Sequence, residues 1–196
     1  KTFPASAIES AHRAGIKNIG ENRIQEASQK FPHLDEHPQL TKRFVGHLQS
    51  NKTGKAVDLF DAIDSINSLK LARRLSTLLA ETNRNYESLL QVNTGQDSAK
   101  HGFHPEKTET LLEALELKNL GVKGLMTIGE FTSDKKTIRK TFQKLRQLKE
   151  NLNKHLPEES QMTELSMGMS SDYEIAVEEG ATMVRIGTAL FGERQQ

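Results

Sequence analysis

The sequence has no cysteine, which excludes disulfide bonds, thiolate nucleophiles and thiolate metal ligands and favours a reducing compartment. It also lacks an excess of one charge, because 27 lysines and arginines face 26 aspartates and glutamates, for a formal charge of +1. Such a balance offers no long-range attraction to nucleic acid or anionic lipid. No apolar run approaches the roughly 18 residues that cross a bilayer, and no charged-then-apolar export leader opens the chain. We therefore expect a cytoplasmic protein that binds neither a nucleic acid nor a membrane.

The length suits a single domain over residues 1–196, because a core of this size can bury well over half of the surface that an unfolded chain exposes. The first residue is Lys1 rather than methionine, and Lys-Thr-Phe-Pro is typical of a strand that runs out into a turn. We expect the chain to begin partway through a larger protein, so that the domain is incomplete at its N-terminal end.

Short β-type segments alternate with longer helical ones. The seven candidate strands are residues 17–22, 43–48, 59–64, 87–93, 122–128, 163–169 and 182–188. Helical periodicity marks residues 6–14, 69–81, 105–117, 134–155 and 172–179. This alternation predicts parallel strands with helices outside them. One more strand ending at Lys1 would bring the total to the eight that close a (β/α)8 TIM barrel, and a doubly wound open sheet is the alternative.

Polar residues and glycines gather just after the candidate strands, which in a barrel places them on one rim. The richest clusters follow the last two strands, with GMSSD at 168–172 and IGTALFG at 186–192. Their small residues leave backbone N–H groups free to point at an anion, and the hydroxyls of Ser170, Ser171 and Thr188 are further donors. Barrels often build a phosphate site from these two loops. The pattern is consistent with binding of a phosphorylated small molecule and equally with ordinary turn chemistry, and both interpretations remain open at this point.

Arg185 precedes the second of these loops. Its neighbours Val184 and Ile186 should point to the opposite face of the strand, so Arg185 is expected to face the barrel axis. A charged group there has to be paired. The sequence leaves two interpretations open, a buried salt bridge with Glu164 or a similar acid, or a permanent cation aimed at a ligand.

Other candidate groups give weaker signals. Lys1, Lys52 and Lys100 fall near strand ends and could be nucleophiles if desolvated or placed beside another cation, but most lysines are solvent-facing charges. GHLQSNKT at 46–53 has Asn51 where a P-loop needs its second glycine, which argues against a nucleoside triphosphate site. No metal site is predicted, because the histidine pair at 33 and 37 has no third ligand on a suitable scaffold.

Six motifs occur in order along the chain: KTFP at 1–4, IGENRIQEA at 19–27, FVGHLQSNK at 44–52, SAKHGF at 98–103, LSMGMSSD at 165–172 and VRIGTALFG at 184–192. Together they closely resemble the pyridoxal phosphate homeostasis protein family, also called YggS or proline synthetase co-transcribed homologue. The resemblance runs from the first residue to the last few. It implies a TIM barrel like the N-terminal domain of alanine racemase, here without its first helix and most of its first strand. It also implies a role in the intracellular homeostasis of pyridoxal 5′-phosphate, a form of vitamin B6.

The resemblance assigns the cofactor contacts residue by residue. Lys1 would hold pyridoxal phosphate as a Schiff base at the end of the first barrel strand. Arg185 matches the arginine that faces the pyridine nitrogen, and because a guanidinium cannot give up a proton it weakens the ring as an electron sink. Asn22 and Asn51 match polar residues on the same rim, and Met126 sits where the ring is flanked.

The phosphate contacts come from the last two motifs. Ser170, Gly187 and Thr188 match the phosphate cradle of the family, with Met169 and Ser171 as neighbours. The third motif departs from the family pattern, which often has an aromatic residue and a histidine before the phenylalanine. Lys42 and Arg43 stand there instead, so any role of that histidine is not carried over.

Catalysis is not implied by the same residues. Racemisation through the cofactor needs a base on each face of the substrate, and alanine racemase takes its second base from a separate β-domain. Only four residues follow the final motif here, which leaves Lys1 as the obvious base. We expect a non-catalytic carrier that buffers the cofactor or delivers it to pyridoxal phosphate-dependent apoenzymes, as a monomer or weak dimer.

Two other functions remain open. One is a weak pyridoxal phosphate-dependent amino-acid racemase or lyase that borrows a rim group such as His47 or Tyr173. The other is a protein-interaction module in which the cofactor is a sensor ligand. Exchange of a substrate α-hydrogen with solvent would favour the first, and partners retained only by the cofactor-loaded protein would favour the second.

Overall fold

A seven-stranded parallel sheet forms the centre of the protein in a computed structural model that describes residues 3–34, 39–81, 86–95, 101–130 and 132–192. The strands are β1 (Asn18–Glu21), β2 (Thr41–Phe44), β3 (Ala62–Ile66), β4 (Glu87–Gln91), β5 (Val122–Met126), β6 (Glu164–Met169) and β7 (Met183–Arg185). Each strand pairs with the next one along the chain, so spatial order equals sequence order. A doubly wound sheet reverses its order at a switch point, whereas a (β/α) barrel does not. The barrel prediction is confirmed, and the doubly wound alternative is wrong.

Helices connect the strands and cover one face of the sheet. They are α1 (Ala5–Arg13), α2 (Ile24–Lys30), α3 (Thr53–Leu59), α4 (Leu69–Ala80), α5 (Thr108–Leu115), α6 (Lys135–Asn153), α7 (Tyr173–Glu178) and α8 (Thr188–Phe191). Short 3-10 turns lie at Phe31–Leu34, Ser50–Lys52 and Glu158–Ser160. Within the described ranges, no helix combines the length and the apolar character needed to cross a membrane.

Helix α6 shows how the sequence specifies these elements. The Asp134 side chain caps its first turn by accepting hydrogen bonds from the Lys136 and Thr137 backbone N–H groups, each at 3.2 Å. Its apolar residues then recur at helical spacing and are buried: Ile138, Phe142, Leu145, Leu148 and Leu152. Most of the remaining positions carry lysines, arginines and other polar residues on its solvent-facing side, as expected for a helix that covers a barrel.

The two faces of the sheet differ in character. One face packs on the helices and belongs to the continuous hydrophobic core, with Phe44 paired to Ile63 and with Leu90, Leu125 and Leu165 in one row. Side chains alternate along a strand, so the residues between these positions point into the barrel. Two rows can be followed across the interior face, namely Arg43–Ala62–Glu87 and Gln91–Met126–Ser166. The interior face therefore carries charged and polar residues as well as apolar ones.

Two strands lie a few residues away from their predicted positions. Strand β2 begins at Thr41 rather than at residue 43 and ends at Phe44, and β3 begins at Ala62 because Leu59 completes α3. The segment 41–44 carries two charged residues, Lys42 and Arg43. Other parts of the chain supply its contacts: the Lys42 backbone N–H donates to Asp61 Oδ2 at 2.8 Å, and the Lys42 ammonium lies 5.3 Å from the centre of the Phe31 ring.

Candidate functional site

A cleft of about 430 Å³ opens at the carboxyl ends of the strands. It is lined by segments that follow β1, β2 and β5 and by the end of β4. Val45 and Ile128 contribute apolar surface. The polar lining consists of Asn22, Arg23, His47, Gln91, Asn93 and His101. A concave site at this rim is where barrel proteins place their ligands.

Gly46 brings the two sides of this cleft together. A Cβ atom built on Gly46 would lie 2.0 Å from the Asn22 carbonyl oxygen and 2.7 Å from its carbonyl carbon. No side chain fits in that space, so the loops after β1 and β2 can approach this closely only because residue 46 is a glycine. The contact fixes the position of Asn22, whose exposed side chain faces the cleft.

Two histidines stack at the mouth of the cleft. The rings of His47 and His101 are 4.0 Å apart and 17° from parallel, and the Gln91 side-chain amide holds the His101 carbonyl at 2.9 Å. Asn67 Nδ2 lies 3.2 Å from His47 Nδ1. An amide nitrogen can only donate, so Nδ1 accepts, and the ring proton of neutral His47 is on Nε2. Burial lowers the pKa of His47, and repulsion from His101 lowers it further.

The loops after β6 and β7 meet at Ser170. Its Oγ accepts hydrogen bonds from the Gly187 N–H at 3.3 Å and from the Ala189 N–H at 3.2 Å. These two N–H groups converge on one oxygen at the start of α8, which is the arrangement that a phosphate oxygen would use. The structure thus brings together Ser170 and Gly187, two of the three residues expected in the phosphate cradle. The third, Thr188, begins α8 with an exposed position beside them.

Arg185 ends β7 and reaches into the barrel. Its Nη1 donates to Ser166 Oγ at 2.8 Å, and its Nη2 donates to the Thr127 carbonyl oxygen at 2.7 Å. Since Ser166 belongs to an interior row, Arg185 faces the interior. The expected alternative of a salt bridge with Glu164 is wrong, because that carboxylate accepts instead from the Thr182 hydroxyl at 2.6 Å.

The charge of Arg185 is therefore held by neutral acceptors. Burial lowers its pKa, and attraction to the carboxylates of Asp64 and Asp172 opposes that effect. Among the described residues, neither carboxylate lies within ion-pair distance of the guanidinium. Thr127 immediately precedes Ile128, which lines the cleft. Arg185 is therefore held one residue away from the cleft lining and is not itself a lining residue.

The remaining expected site residues lie in different environments. Met126 is fully buried in the interior row beside Ser166. Met169 is 37% exposed, and its backbone N–H donates to Asp172 Oδ1 within the same loop at 2.6 Å. Asn51 is exposed in the turn Ser50–Lys52 and is not part of the cleft lining. Lys1, the expected anchor of the cofactor, lies outside the described residues, as does Lys100.

Residues near the start of the described chain contact the phosphate-type loop. The Phe3 ring lies 5.0 Å from the ring of Phe191, centre to centre, with 36° between their planes. Phe191 belongs to α8, the helix that begins at Thr188. The described chain therefore starts beside the same loop that Ser170 contacts.

A buried ion pair inside the barrel was not foreseen from the sequence. The Arg43 guanidinium donates through Nε and Nη2 to both oxygens of Asp64 at 2.8 to 3.2 Å, and the two residues are 6% and 2% exposed. The available signal was the departure of Arg43 from the family pattern, together with its alternation with the core residue Phe44. His47, His101 and Gln91 were likewise not identified as a group, because their proximity depends on the loop after β2 meeting the end of β4 and the segment that follows it.

The donor set fits the cofactor that the resemblance implies. A phosphate needs converging N–H and hydroxyl donors, which the Ser170 and Gly187 loops provide. An unprotonated ring nitrogen needs a donor that stays charged, which Arg185 provides on the interior side.

Comparisons with known proteins agree over nearly the whole chain. The family model described as alanine racemase, N-terminal domain, matches residues 4–195. The pyridoxal phosphate homeostasis protein of Pseudomonas aeruginosa is 43% identical over 195 residues, which cover 99% of this chain and 82% of that protein. The protein of the same name from Homo sapiens is 37% identical over 204 residues, covering 99% of this chain and 74% of that protein.

Solved structures show the same relationship. The structure of PipY from Synechococcus elongatus with pyridoxal phosphate bound has a TM-score of 0.88 and 38% identity, and the match covers 98% of this chain and 89% of that one. An alanine racemase of Clostridium difficile has a TM-score of 0.80 at 14% identity, covering 98% of this chain and 49% of that one. At that identity the racemase shows a shared fold only.

Proposed function

We propose, from the premise that this chain belongs to the pyridoxal phosphate homeostasis protein family, that it binds pyridoxal 5′-phosphate and takes part in the intracellular homeostasis of that cofactor. The observation that carries the proposal is the convergence of the Gly187 and Ala189 N–H groups on Ser170 Oγ, at the rim that also presents Arg185. A phosphate oxygen would take the place that the hydroxyl oxygen now occupies. PipY, which matches 98% of this chain, holds pyridoxal phosphate in its own structure.

The proposed contacts divide between the two ends of the cofactor. Lys1 is the proposed covalent anchor, and Phe3 supports this because it packs beside α8, where the phosphate loop begins. Ser170, Gly187 and Thr188 would hold the phosphate, with Met169 next to them. Arg185 would face the ring nitrogen. The proposal also includes Asn22 on the cleft wall, Asn51 on the rim and Met126 beneath the ring.

The chain's own residues favour holding the cofactor over using it. Bound pyridoxal phosphate supplies an aldehyde for a lysine amine and a ring that can accept electrons. Arg185 keeps its proton and so leaves the ring nitrogen unprotonated, which weakens electron withdrawal. His47 faces the cleft, but Asn67 occupies its basic nitrogen, so it is poorly arranged to act as the second base of a racemase.

The carrier role has a direct test in the purified protein. We expect a visible absorbance band on adding pyridoxal phosphate, and peptide mass analysis after borohydride reduction should find the cofactor on Lys1. The Lys1→Ala variant should lose the reduced adduct, whereas the matched Lys52→Ala variant at the rim should keep it. An adduct that survives in Lys1→Ala would contradict the proposed anchor, and the absence of any bound cofactor in the unaltered protein would contradict the function.

Delivery and catalysis can be separated in the same preparation. The loaded protein should restore activity to a pyridoxal phosphate-dependent apoenzyme when the two are mixed. A panel of amino acids in deuterated water should show no exchange of the α-hydrogen. Steady exchange that disappears in Lys1→Ala would establish a racemase or lyase instead of a carrier.

A further inference from the structure

We propose that Arg43 is a positioning residue of the cofactor site, because it holds the Asp64 carboxylate and thereby leaves Arg185 without a carboxylate partner. This inference rests on the proposed function, since it concerns the charge that Arg185 presents to the cofactor. It concerns residues that the family resemblance does not assign, and Arg43 stands where the family often has a histidine.

Arg43, Asp64 and Arg185 all lie on the interior face of the barrel. Arg43 pairs with Ala62 across β2 and β3, and Ala62 pairs with Glu87 across β3 and β4. Asp64 is two residues beyond Ala62 and so points to the same side. On the other side of the barrel, Arg185 donates to Ser166, which belongs to the second interior row. Both arginines therefore face the same enclosed space as Asp64.

Arg43 binds Asp64 in the geometry that most strongly fixes a carboxylate. Arg43 Nε donates to Asp64 Oδ2 at 2.9 Å and Arg43 Nη2 donates to Oδ1 at 2.8 Å, which is a two-point contact between planar groups. Arg43 Nη1 also donates to Glu87 Oε2 at 3.3 Å. Burial of both partners keeps this attraction from being screened by solvent.

Arg185 is the second cation that attracts Asp64. Its own hydrogen bonds go to a hydroxyl and a carbonyl, so nothing in its direct contacts cancels its charge. A carboxylate released from Arg43 would remain buried and would gain most by moving toward Arg185. The Arg43–Asp64 pair thus keeps the ligand-facing arginine from becoming half of an ion pair.

The expected consequence is a change in how the cofactor is held. In Arg43→Met, Asp64 should pair with Arg185, and the affinity for pyridoxal phosphate should fall by about tenfold, the factor that corresponds to one charge-assisted contact of about 1.4 kcal/mol. The ring nitrogen should also become easier to protonate, because the opposing guanidinium is now neutralised. Its nitrogen NMR shift in isotope-labelled cofactor reports this directly, and a purely structural role would not move it.

A double variant separates this effect from damage to the fold. The double variant Arg43→Met with Asp64→Asn removes both charges of this ion pair. Arg185 then has no released Asp64 carboxylate to pair with, and the affinity for pyridoxal phosphate should return to within about twofold of that of the unaltered protein. The matched control is Arg73→Met, the same change at an exposed ion pair with Glu113, which should leave affinity and NMR shift unchanged. If Arg43→Met does not fold, Arg43→Lys serves instead, since it loses the two-point contact and should weaken binding by about threefold.

Crystal structures decide the arrangement independently of the cofactor. The inference is supported if Asp64 lies within ion-pair distance of Arg185 in Arg43→Met, and it is overturned if the carboxylate stays where Arg43 held it. Equal affinity and an unmoved nitrogen shift in both Arg43 variants would also overturn it. If the unaltered protein binds no cofactor, the proposed function fails while the crystallographic comparison still tests the role of Arg43.

Discussion

The closest backbone approach in the site gives a sharp prediction. In Gly46→Ala the new Cβ would lie 2.0 Å from the Asn22 oxygen, with the Asn22 carbonyl carbon and Cα at 2.7 and 2.8 Å. All three neighbours are backbone atoms, so the loops after β1 and β2 have to separate by about 1 Å or more. Overpacking of this kind costs about 1–3 kcal/mol, and we expect the upper end because no flexible side chain can yield.

The matched control, Gly54→Ala, should change the stability in the opposite direction. Gly54 lies in α3 with nothing within 4 Å of its would-be Cβ, so Gly54→Ala should stabilise the protein by about 0.5–1 kcal/mol through helix propensity. The assay is urea unfolding followed by circular dichroism, because the chain has no tryptophan to serve as a fluorescent probe. Gly46→Ala should in addition weaken cofactor binding, since Asn22 moves with its backbone. Equal unfolding free energies for the two variants would refute the reasoning.

Two further predictions concern pH. Burial and repulsion from His101 lower the pKa of His47 below its ordinary value of 6.5. As pH drops from about 8 to about 5, the unfolded chain therefore takes up a proton before the folded protein does, and the free energy of unfolding should fall. His47→Asn should make this dependence on pH less steep, and an unchanged slope would contradict the prediction. Burial would raise the pKa of Glu179, but hydrogen bonds from Arg139 and Gln143 together with attraction to Arg139 and Arg146 outweigh burial and lower the pKa. The stabilisation by Glu179 is therefore present above about pH 4.5 and is lost as pH falls. Glu179→Gln should therefore cost about 1–2 kcal/mol at neutral pH and little in acid, whereas Glu113→Gln at an exposed pair should change stability by less than about 0.5 kcal/mol at either pH.

The fold could be predicted because its main signals are local. Short β-type segments that alternate with helical ones, followed by polar residues and glycines, indicated seven strands. The structure has a strand near each predicted position. The bounds of β2 could not be predicted from local pattern. Arg43 is accommodated at a buried strand position because Asp64, some twenty residues later, binds its guanidinium, and the Lys42 ammonium lies over the Phe31 ring. Gly46 lies just beyond the end of β2, and its close contact with the Asn22 backbone is visible only in three dimensions.

The candidate site was accessible to different degrees. Ser170 and Gly187 lie in loops whose composition already favoured an anion, and the structure places them in contact. The inward direction of Arg185 followed from strand alternation, but its partners did not, because Glu164 is a closer charge in sequence while Thr127 offers a backbone carbonyl that no composition reveals. Asp64 was overlooked for the same reason, since its importance comes from the arginine opposite it.

The sequential order of the strands has a consequence for how the protein is made. Each strand needs only the strand before it and the strand after it as hydrogen-bonding neighbours. During synthesis, β2 can pair with β1 as soon as it leaves the ribosome, and every later strand extends an edge that already exists. The two loops that meet at Ser170 form after β1 to β6, because β7 and α8 come last among the described elements. Among the described elements, the two loops proposed to hold the phosphate are thus completed only after six strands are available for pairing.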